Sequence, residues 1–203
     1  MIGIKKKERT MGRAAILKSV QENKPTLVPL PEIDLNSFDE SIDILETFKS
    51  NVKLVGGNII EFAEEKDIDL EILKMYPNKP RIVNCTKEST LGTVSISEIT
   101  RPHELDTIDL AIINGEFGIA ENGAVWISET QFSIRVLPFI TNDLVVVLNK
   151  KDVCLHLHDA YKLIAKRDRS FGLFISGPSK TADIEQCLVI GAQGAMSLTV
   201  FLI

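Results

Sequence analysis

Apolar residues recur along the chain with two different periods, and the period at each point predicts the element there. Spacings of three and four residues predict helices, whereas short runs rich in Val, Ile and Phe predict strands. The predicted helices cover residues 8–23, about 38–50, a segment that begins at Asn58, 152–167 and 182–190. The predicted strands cover residues 52–55, 81–85, 109–114, 118–120, 124–128, 143–148, 171–175 and 198–203.

The order of these elements predicts the fold class. Helices and strands alternate at both ends of the chain, which is typical of a largely parallel sheet with helices on both faces. Between residues 109 and 148 the strands follow one another with few intervening residues, so we expect neighbouring strands there to pair locally and partly antiparallel. The sequence therefore predicts an α/β fold, a three-layer sandwich with a largely parallel sheet.

Prolines mark a boundary near the N-terminus. Pro25, Pro29 and Pro31 prevent the first helix from continuing. Ser37, with Glu40 three residues later, is a capping-box pattern that predicts the start of the next helix. We expect an N-terminal helical arm and linker over residues 1–36 and one domain over residues 37–203.

Two glycine turns separate a predicted strand from a predicted helix, at Gly56-Gly57 and at Gly177-Pro178. The first N–H groups of a helix have no partner within it and carry the positive end of its dipole, so either turn could hold a small anion or carboxylate. The alternative is a plain turn, in which Ser179 or Thr181 only caps the second helix. Spacing alone leaves both interpretations open.

Composition narrows the class of protein. The 203 residues fit one domain with a sizeable core, and 44% hydrophobic with 25% charged residues is average for a globular chain. A net charge of −5 gives no general attraction to nucleic acid. No apolar run is long enough to span a bilayer and no signal peptide is recognisable, so we expect a cytoplasmic protein without membrane contact.

The three cysteines, Cys85, Cys154 and Cys187, are widely spaced and lie among apolar neighbours. We expect them to be reduced thiols, and no Cys/His pair has the spacing of metal ligands. His156 and His158 would lie on opposite sides of the predicted helix, which disfavours a shared metal. His103, beside Glu104 and Asp106, is either a proton-transfer group or a solvated loop residue.

The central segment 114–125 holds two carboxylates, Glu116 and Glu121, among three glycines. Glu121 follows a predicted strand and precedes the turn dipeptide Asn122-Gly123. A carboxylate held there and partly desolvated suits a general base or a nucleophile. The alternative is a carboxylate that accepts backbone N–H bonds and braces the turn.

Two segments carry a resemblance to a known family: GPSKTADIEQ followed by LVIGAQGAMSLTV near the C-terminus, and IAENG at residues 119–123. Both resemble the signature of the LUD-domain family. The sequence departs from the family pattern at Gln193, where the family usually has His, and at Ala195, where it usually has Pro. A role that rests on an imidazole in that last turn is therefore not expected here.

The resemblance implies a fold shared with ribose-5-phosphate isomerase, glucosamine-6-phosphate deaminase and CoA transferases. The segment Glu121-Asn122-Gly123 is also similar to the one that carries the nucleophilic glutamate of class I CoA transferases. Glu121 is thus the candidate catalytic residue. The residues expected to contact a small carboxylate or phosphate ligand are Gly118, Gly177, Ser179, Lys180, Thr181, Asp183 and Gly194.

The family implies a component of a cytoplasmic system that oxidises L-lactate to pyruvate together with iron–sulfur partner subunits. No cofactor is expected in this chain itself, because three scattered cysteines cannot supply the four thiolates of a cluster. A second hypothesis is a stand-alone enzyme that acts on a small phosphorylated or acyl substrate through Glu121. A third is a binding or assembly subunit without chemistry.

Overall fold

The structure, a computed structural model, describes residues 12–29, 31–38, 42–62, 67–132, 134–167, 171–182 and 187–203. It divides into two units, Met1–Glu40 and Ser41–Ile203, and each is described by itself. The first unit contains helix α1 (Arg13–Glu22) and a short 3-10 helix over Leu35–Phe38. Helix α1 buries none of its residues. The helix expected over residues 8–23 is confirmed in its described part.

The second unit contains the remaining helices and all eleven strands of the described chain. Its α-helices are α2 (Ile44–Leu54), α3 (Ile68–Met75), α4 (Leu137–Ile140) and α5 (Leu157–Ala165), and its short 3-10 helices cover Ile96–Glu98, Pro102–Leu105 and Lys150–Asp152. Its strands are β1 (Asn58–Glu61), β2 (Ile82–Asn84), β3 (Leu110–Asn114), β4 (Phe117–Ile119), β5 (Ala124–Ser128), β6 (Asp143–Leu148), β7 (Val153–Cys154), β8 (Gly172–Ile175), β9 (Lys180–Thr181), β10 (Val189–Ile190) and β11 (Ser197–Leu202). Over the described residues, no helix is long and apolar enough to cross a membrane.

The strands form two main sheets and one ribbon. Five strands in the order β1-β11-β6-β3-β2 make a sheet in which every described pairing is parallel. Four strands in the order β7-β4-β5-β8 make a second sheet, antiparallel except where β4 meets β7. Strands β9 and β10 pair as a short antiparallel ribbon.

Three apolar clusters hold these layers together. Successive side chains of a strand point to opposite faces, so the parallel sheet contributes Ala111 and Ile113 to one cluster and Leu110 and Ile112 to another. The first cluster lies between the two sheets and includes helix α2. The second cluster packs the outer face of the parallel sheet against helix α3, and a third packs the second sheet against helix α5.

The predicted α/β class with a largely parallel sheet is confirmed. One detail differs from the expected arrangement, because one face of the parallel sheet is covered by helix α2 together with the second sheet. Local and partly antiparallel pairing was expected between the strands of residues 109–148. It holds for β4 with β5, whereas β3 and β6 pair with each other in parallel.

The order of elements around Gly56-Gly57 is the reverse of the predicted one. Helix α2 ends at Leu54, and Gly56 adopts a left-handed φ of +85°, which is typical of a glycine that terminates a helix. The next residues, from Asn58, form strand β1 and not a helix. The predicted anion site at a helix N-terminus therefore does not exist at this turn.

The start of α2 also differs from the prediction. The predicted helix over about 38–50 was to be capped by Ser37, but the observed cap is Asp43, whose side chain accepts from the backbone N–H of Leu45 and Glu46. Glu40, the other half of the predicted capping box, lies outside the described residues. An aspartate at the N-cap satisfies two N–H groups that a helix leaves unpaired.

Two further helix predictions are corrected. The helix expected over 152–167 begins only at Leu157, because Val153–Cys154 pairs with β4 as strand β7. The helix expected over 182–190 is wrong at both described ends, since Ala182 is irregular and Val189–Ile190 is a strand. Helices α3 and α4 were not predicted.

Substitution of Gly123 tests how tightly helix α2 packs on the second sheet. Its φ is +64°, and a Cβ there would lie 2.6 Å from the backbone nitrogen of Val52. We expect Gly123→Ala to lower the free energy of unfolding in urea by about 2–4 kcal/mol, because it adds backbone strain to overpacking. Gly92→Ala is the matched control, since its nearest neighbour would lie at an ordinary 3.5 Å. Equal stability of the two variants would contradict the packing described here.

Candidate functional site

A cavity of about 300 Å³ opens beside the loop that follows strand β8. Its walls come from the first residues of β6 and β11, from β8, from α4 and from the segment before β11. The lining residues are Pro138, Phe139, Leu144, Leu173, Phe174, Ile175, Ser176, Gly177, Pro178, Ser179, Lys180, Gln193, Gly194, Ala195 and Leu198. We call it the Lys180 cavity.

Four of the predicted ligand-contacting residues line this cavity: Gly177, Ser179, Lys180 and Gly194. Gln193 and Ala195, the two departures from the family pattern, line it as well. The sequence motifs therefore identified two segments, 177–180 and 193–195, that line one cavity although residues 181–192 separate them. The prediction that they contact a ligand stays a prediction.

The other predicted contacts lie elsewhere. Thr181 belongs to the β9–β10 ribbon and does not line the cavity, and Asp183 lies outside the described residues. Gly118 is buried in strand β4, where a Cβ would meet the ring of Phe48 at 2.9 Å. The structure thus gives Gly118 a packing role, because only glycine lets Phe48 approach β4 so closely.

The loop 177–180 is fixed from two sides. Gly177 has a φ of +72°, and a Cβ there would overlap the carbonyl oxygen of Val55 at the end of helix α2. The Lys180 ammonium donates a hydrogen bond to that same carbonyl. On the other side the Ser179 N–H donates to the Ala195 carbonyl at 2.9 Å. The polar groups of this loop are therefore held in place by the protein.

A helix was expected to begin just after Lys180 and to supply positive charge from its dipole, but Lys180–Thr181 pairs with Val189–Ile190 in the ribbon. Lys180 is the one charged residue among the described residues that line it. The floor is apolar and includes Leu144, Leu173 and Leu198. An anchored ammonium beside hydroxyl groups and an apolar floor suits a small anion with a short apolar part.

Glu121 lies outside the Lys180 cavity, in the turn between β4 and β5. One of its oxygens lies 3.1 Å from Nδ1 of His156, and the side chains of Glu121 and His156 are 38% and 17% exposed. His156 immediately precedes helix α5 and is not part of it. The turn is also tied to helix α2, since the Asn51 amide donates to the Ala120 carbonyl at 2.7 Å.

This carboxylate–imidazole pair was missed in the sequence, because 35 residues separate its members and no local pattern links them. The pair has the geometry of a proton-transfer couple, and the same geometry also joins the β4–β5 turn to the start of α5. His103, the other candidate for proton transfer, lies in a short 3-10 helix at Pro102–Leu105 and is exposed.

Glu116, the second central carboxylate, serves as a brace. Its side chain is 9% exposed and forms an ion pair with Arg167, while the hydroxyl of Ser128 donates to it. The Arg167 guanidinium also lies over the ring of Phe117, at 5.3 Å from its centroid. With these partners, the Glu116 carboxylate links β5 to the end of α5, and its oxygens are engaged by the protein.

The three cysteines are free thiols in the structure. Within the described ranges, no group of three or more His, Cys, Asp or Glu side chains is placed to hold a metal ion. Burial raises the pKa of Cys85 to about 11 and that of Cys154 to about 11. Cys187 is exposed.

Comparison with known proteins identifies relatives of the chain. The model of the family described as LUD domain matches residues 93–203. Lactate utilization protein C of Bacillus pumilus (strain SAFR-032) is 30% identical over 99 residues, which are 46% of this chain and 41% of that protein. The chain thus matches less than half the length of this curated relative.

A solved structure shows the same fold. It is the crystal structure of a DUF162 family protein from Deinococcus radiodurans, with a TM-score of 0.60 and 16% sequence identity. The similarity covers 78% of this chain and 95% of that one.

Cys85 and Cys154 are half-buried and Cys187 is exposed, which predicts different rates of thiol reaction. With a pKa of about 11, Cys85 and Cys154 are thiolates to only about one part in a thousand near pH 8. We expect one thiol of the folded chain, Cys187, to react rapidly with dithiodipyridine and the other two slowly, as followed by absorbance. The rapid phase should disappear in Cys187→Ser, and its persistence there would contradict the burial of the other two.

Proposed function

Because the chain belongs to the LUD domain family, we propose that it is a component of a cytoplasmic system that oxidises L-lactate to pyruvate. In this proposal the Lys180 cavity binds the carboxylate of L-lactate. Two observations support the proposal. The chain is similar to a lactate utilization protein C. The observation that carries the site is the cavity itself, in which an anchored ammonium is the single charge among the described lining residues.

In this proposal the cavity positions the substrate. The Lys180 ammonium and the Ser179 hydroxyl bind the carboxylate of L-lactate, since charge-assisted hydrogen bonds are the strong ones. The apolar floor at Leu173 and Leu198 accepts the methyl group. No carboxylate lines the cavity among the described residues, so nothing there repels an anionic substrate.

Electron transfer is assigned to partner subunits. Oxidation of L-lactate to pyruvate releases two electrons and two protons, which need an acceptor. We propose that iron–sulfur subunits of the same system accept the electrons. The three cysteines of this chain are scattered, and a cluster needs four thiolate ligands.

A second candidate function rests on the Glu121–His156 pair. A carboxylate at 3.1 Å from an imidazole could serve a stand-alone enzyme that acts on a small phosphorylated or acyl substrate, with Glu121 as base or nucleophile. The position of Glu121 outside the Lys180 cavity favours the first proposal.

Removal of the cavity's cation tests the first proposal. We expect Lys180→Gln to weaken L-lactate binding by the purified chain about tenfold in calorimetry, because one charge-assisted bond to the carboxylate is lost. Lys53→Gln removes an exposed lysine at the end of helix α2 and should change the affinity less than twofold. The unfolding midpoints of both variants show whether loss of the hydrogen bond from Lys180 to the Val55 carbonyl has destabilised the fold. The proposal fails if L-lactate does not bind the parent chain, or if both variants bind it equally.

Replacement of the candidate base separates the two functions. We expect Glu121→Gln to leave L-lactate affinity within about twofold of the parent value, because the side chain does not line the cavity. The second function predicts instead that this variant abolishes turnover of a phosphorylated or acyl substrate. A screen of sugar phosphates and acyl-CoA compounds with both proteins distinguishes the two outcomes.

A further inference from the structure

The Lys180 cavity is larger than the substrate of the proposed function. Its volume of about 300 Å³ is the space that about ten water molecules occupy in the liquid, at ~30 Å³ each. L-Lactate has six non-hydrogen atoms, and half of them are oxygens that need polar partners. Its single methyl group therefore covers only a small part of the apolar side of the cavity, which has space for a longer side chain.

The apolar side of the cavity extends from the core to the surface. Leu144 of β6 and Leu198 of β11 pair as neighbours in the parallel sheet, and each is 1% exposed. Leu173 of β8 adds a half-buried side chain from the second sheet. Helix α4 contributes Phe139, which is 43% exposed. An apolar group longer than a methyl can therefore leave water along this whole wall.

The polar groups of the cavity match one carboxylate with a neighbouring hydroxyl group. An ammonium has three N–H donors, and Lys180 uses one of them on the Val55 carbonyl, which leaves others for the two oxygens of a carboxylate. Ser179 and Gln193 also line the cavity, and a hydroxyl or carboxamide group can both donate and accept. No second cationic side chain lines it among the described residues, so a second anionic group on the ligand would lack a partner.

We propose that the Lys180 cavity selects α-hydroxy acids with a branched apolar side chain over L-lactate. The carboxylate and hydroxyl groups bind at Lys180 and Gln193, and the side chain of the acid packs against Leu198 and Phe139. Burial of each additional CH₂ group is favourable, so the affinity rises with the size of that side chain until the cavity is filled. This inference rests on the proposed function for the α-hydroxy acid group and goes beyond it in the identity of the side chain.

Calorimetry of the purified full chain with L-lactate and with L-α-hydroxyisocaproate tests this preference. The second acid carries a branched apolar side chain in place of the methyl group. We expect it to bind at least about tenfold more tightly than L-lactate, because three additional carbon atoms leave water. L-Malate, which carries a second carboxylate instead, should bind more weakly than L-lactate, since no described lining side chain compensates the second charge.

Three variants locate the bound acid. Phe139→Ala should weaken the binding of L-α-hydroxyisocaproate at least about threefold more than that of L-lactate, because it removes part of the apolar wall. Leu73→Ala is the matched control, since it removes a side chain of similar exposure, 49%, from helix α3, which does not line the cavity. It should leave both affinities within about twofold. Lys180→Gln should weaken both acids about tenfold, because both carboxylates use the same ammonium.

The outcomes separate this inference from the proposed function. If L-lactate binds and the larger acid binds equally or more weakly, the inference is overturned and the proposed function stands. Binding of the larger acid that Lys180→Gln does not weaken also overturns the inference, as does an unchanged ratio of the two affinities in Phe139→Ala. If the larger acid binds through Lys180 and L-lactate does not bind at all, the preference is supported and the role in L-lactate oxidation is rejected. If neither acid binds, both fail.

Discussion

The packing of helix α2 against the two turns of the second sheet is the contact on which the rest of the candidate site depends. Gly123 lies directly on the backbone of Val52, and the Asn51 amide holds the Ala120 carbonyl. The end of the same helix fixes the other loop through Gly177 and Lys180. One helix thus positions both the Glu121 turn and the wall of the Lys180 cavity. A cation at a helix C-terminus is also favoured by the helix dipole, which helps to hold Lys180 there.

The strands were predictable because their signal is local. Runs such as 143–148 and 124–128 are apolar, and both are strands as expected. The segment from Asn58 was mistaken for a helix, since its identity depends on pairing with Thr199 and its neighbours, about 140 residues away. No local pattern reports such a partner. Val189–Ile190 was also mistaken for part of a helix, whereas it pairs with Lys180–Thr181 as an antiparallel ribbon.

The candidate site was also predicted where the sequence signal is local and missed where a contact joins distant residues. Gly177, Ser179, Lys180 and Gly194 were identified from two short motifs, and they do line one cavity. The predicted source of positive charge, the N-terminus of a helix over 182–190, is contradicted at the described ends of that segment, where Ala182 is irregular and Val189–Ile190 is a strand. Nothing in the sequence could reveal that His156 meets Glu121, since this contact arises only when β7 pairs with β4.

The most direct test of the account is anaerobic affinity purification of the tagged chain from its native cells, with a visible spectrum recorded before and after addition of L-lactate. The account predicts that iron–sulfur subunits co-elute and that their absorption bleaches when L-lactate is added. A colourless protein that elutes alone, without response to L-lactate, would contradict it.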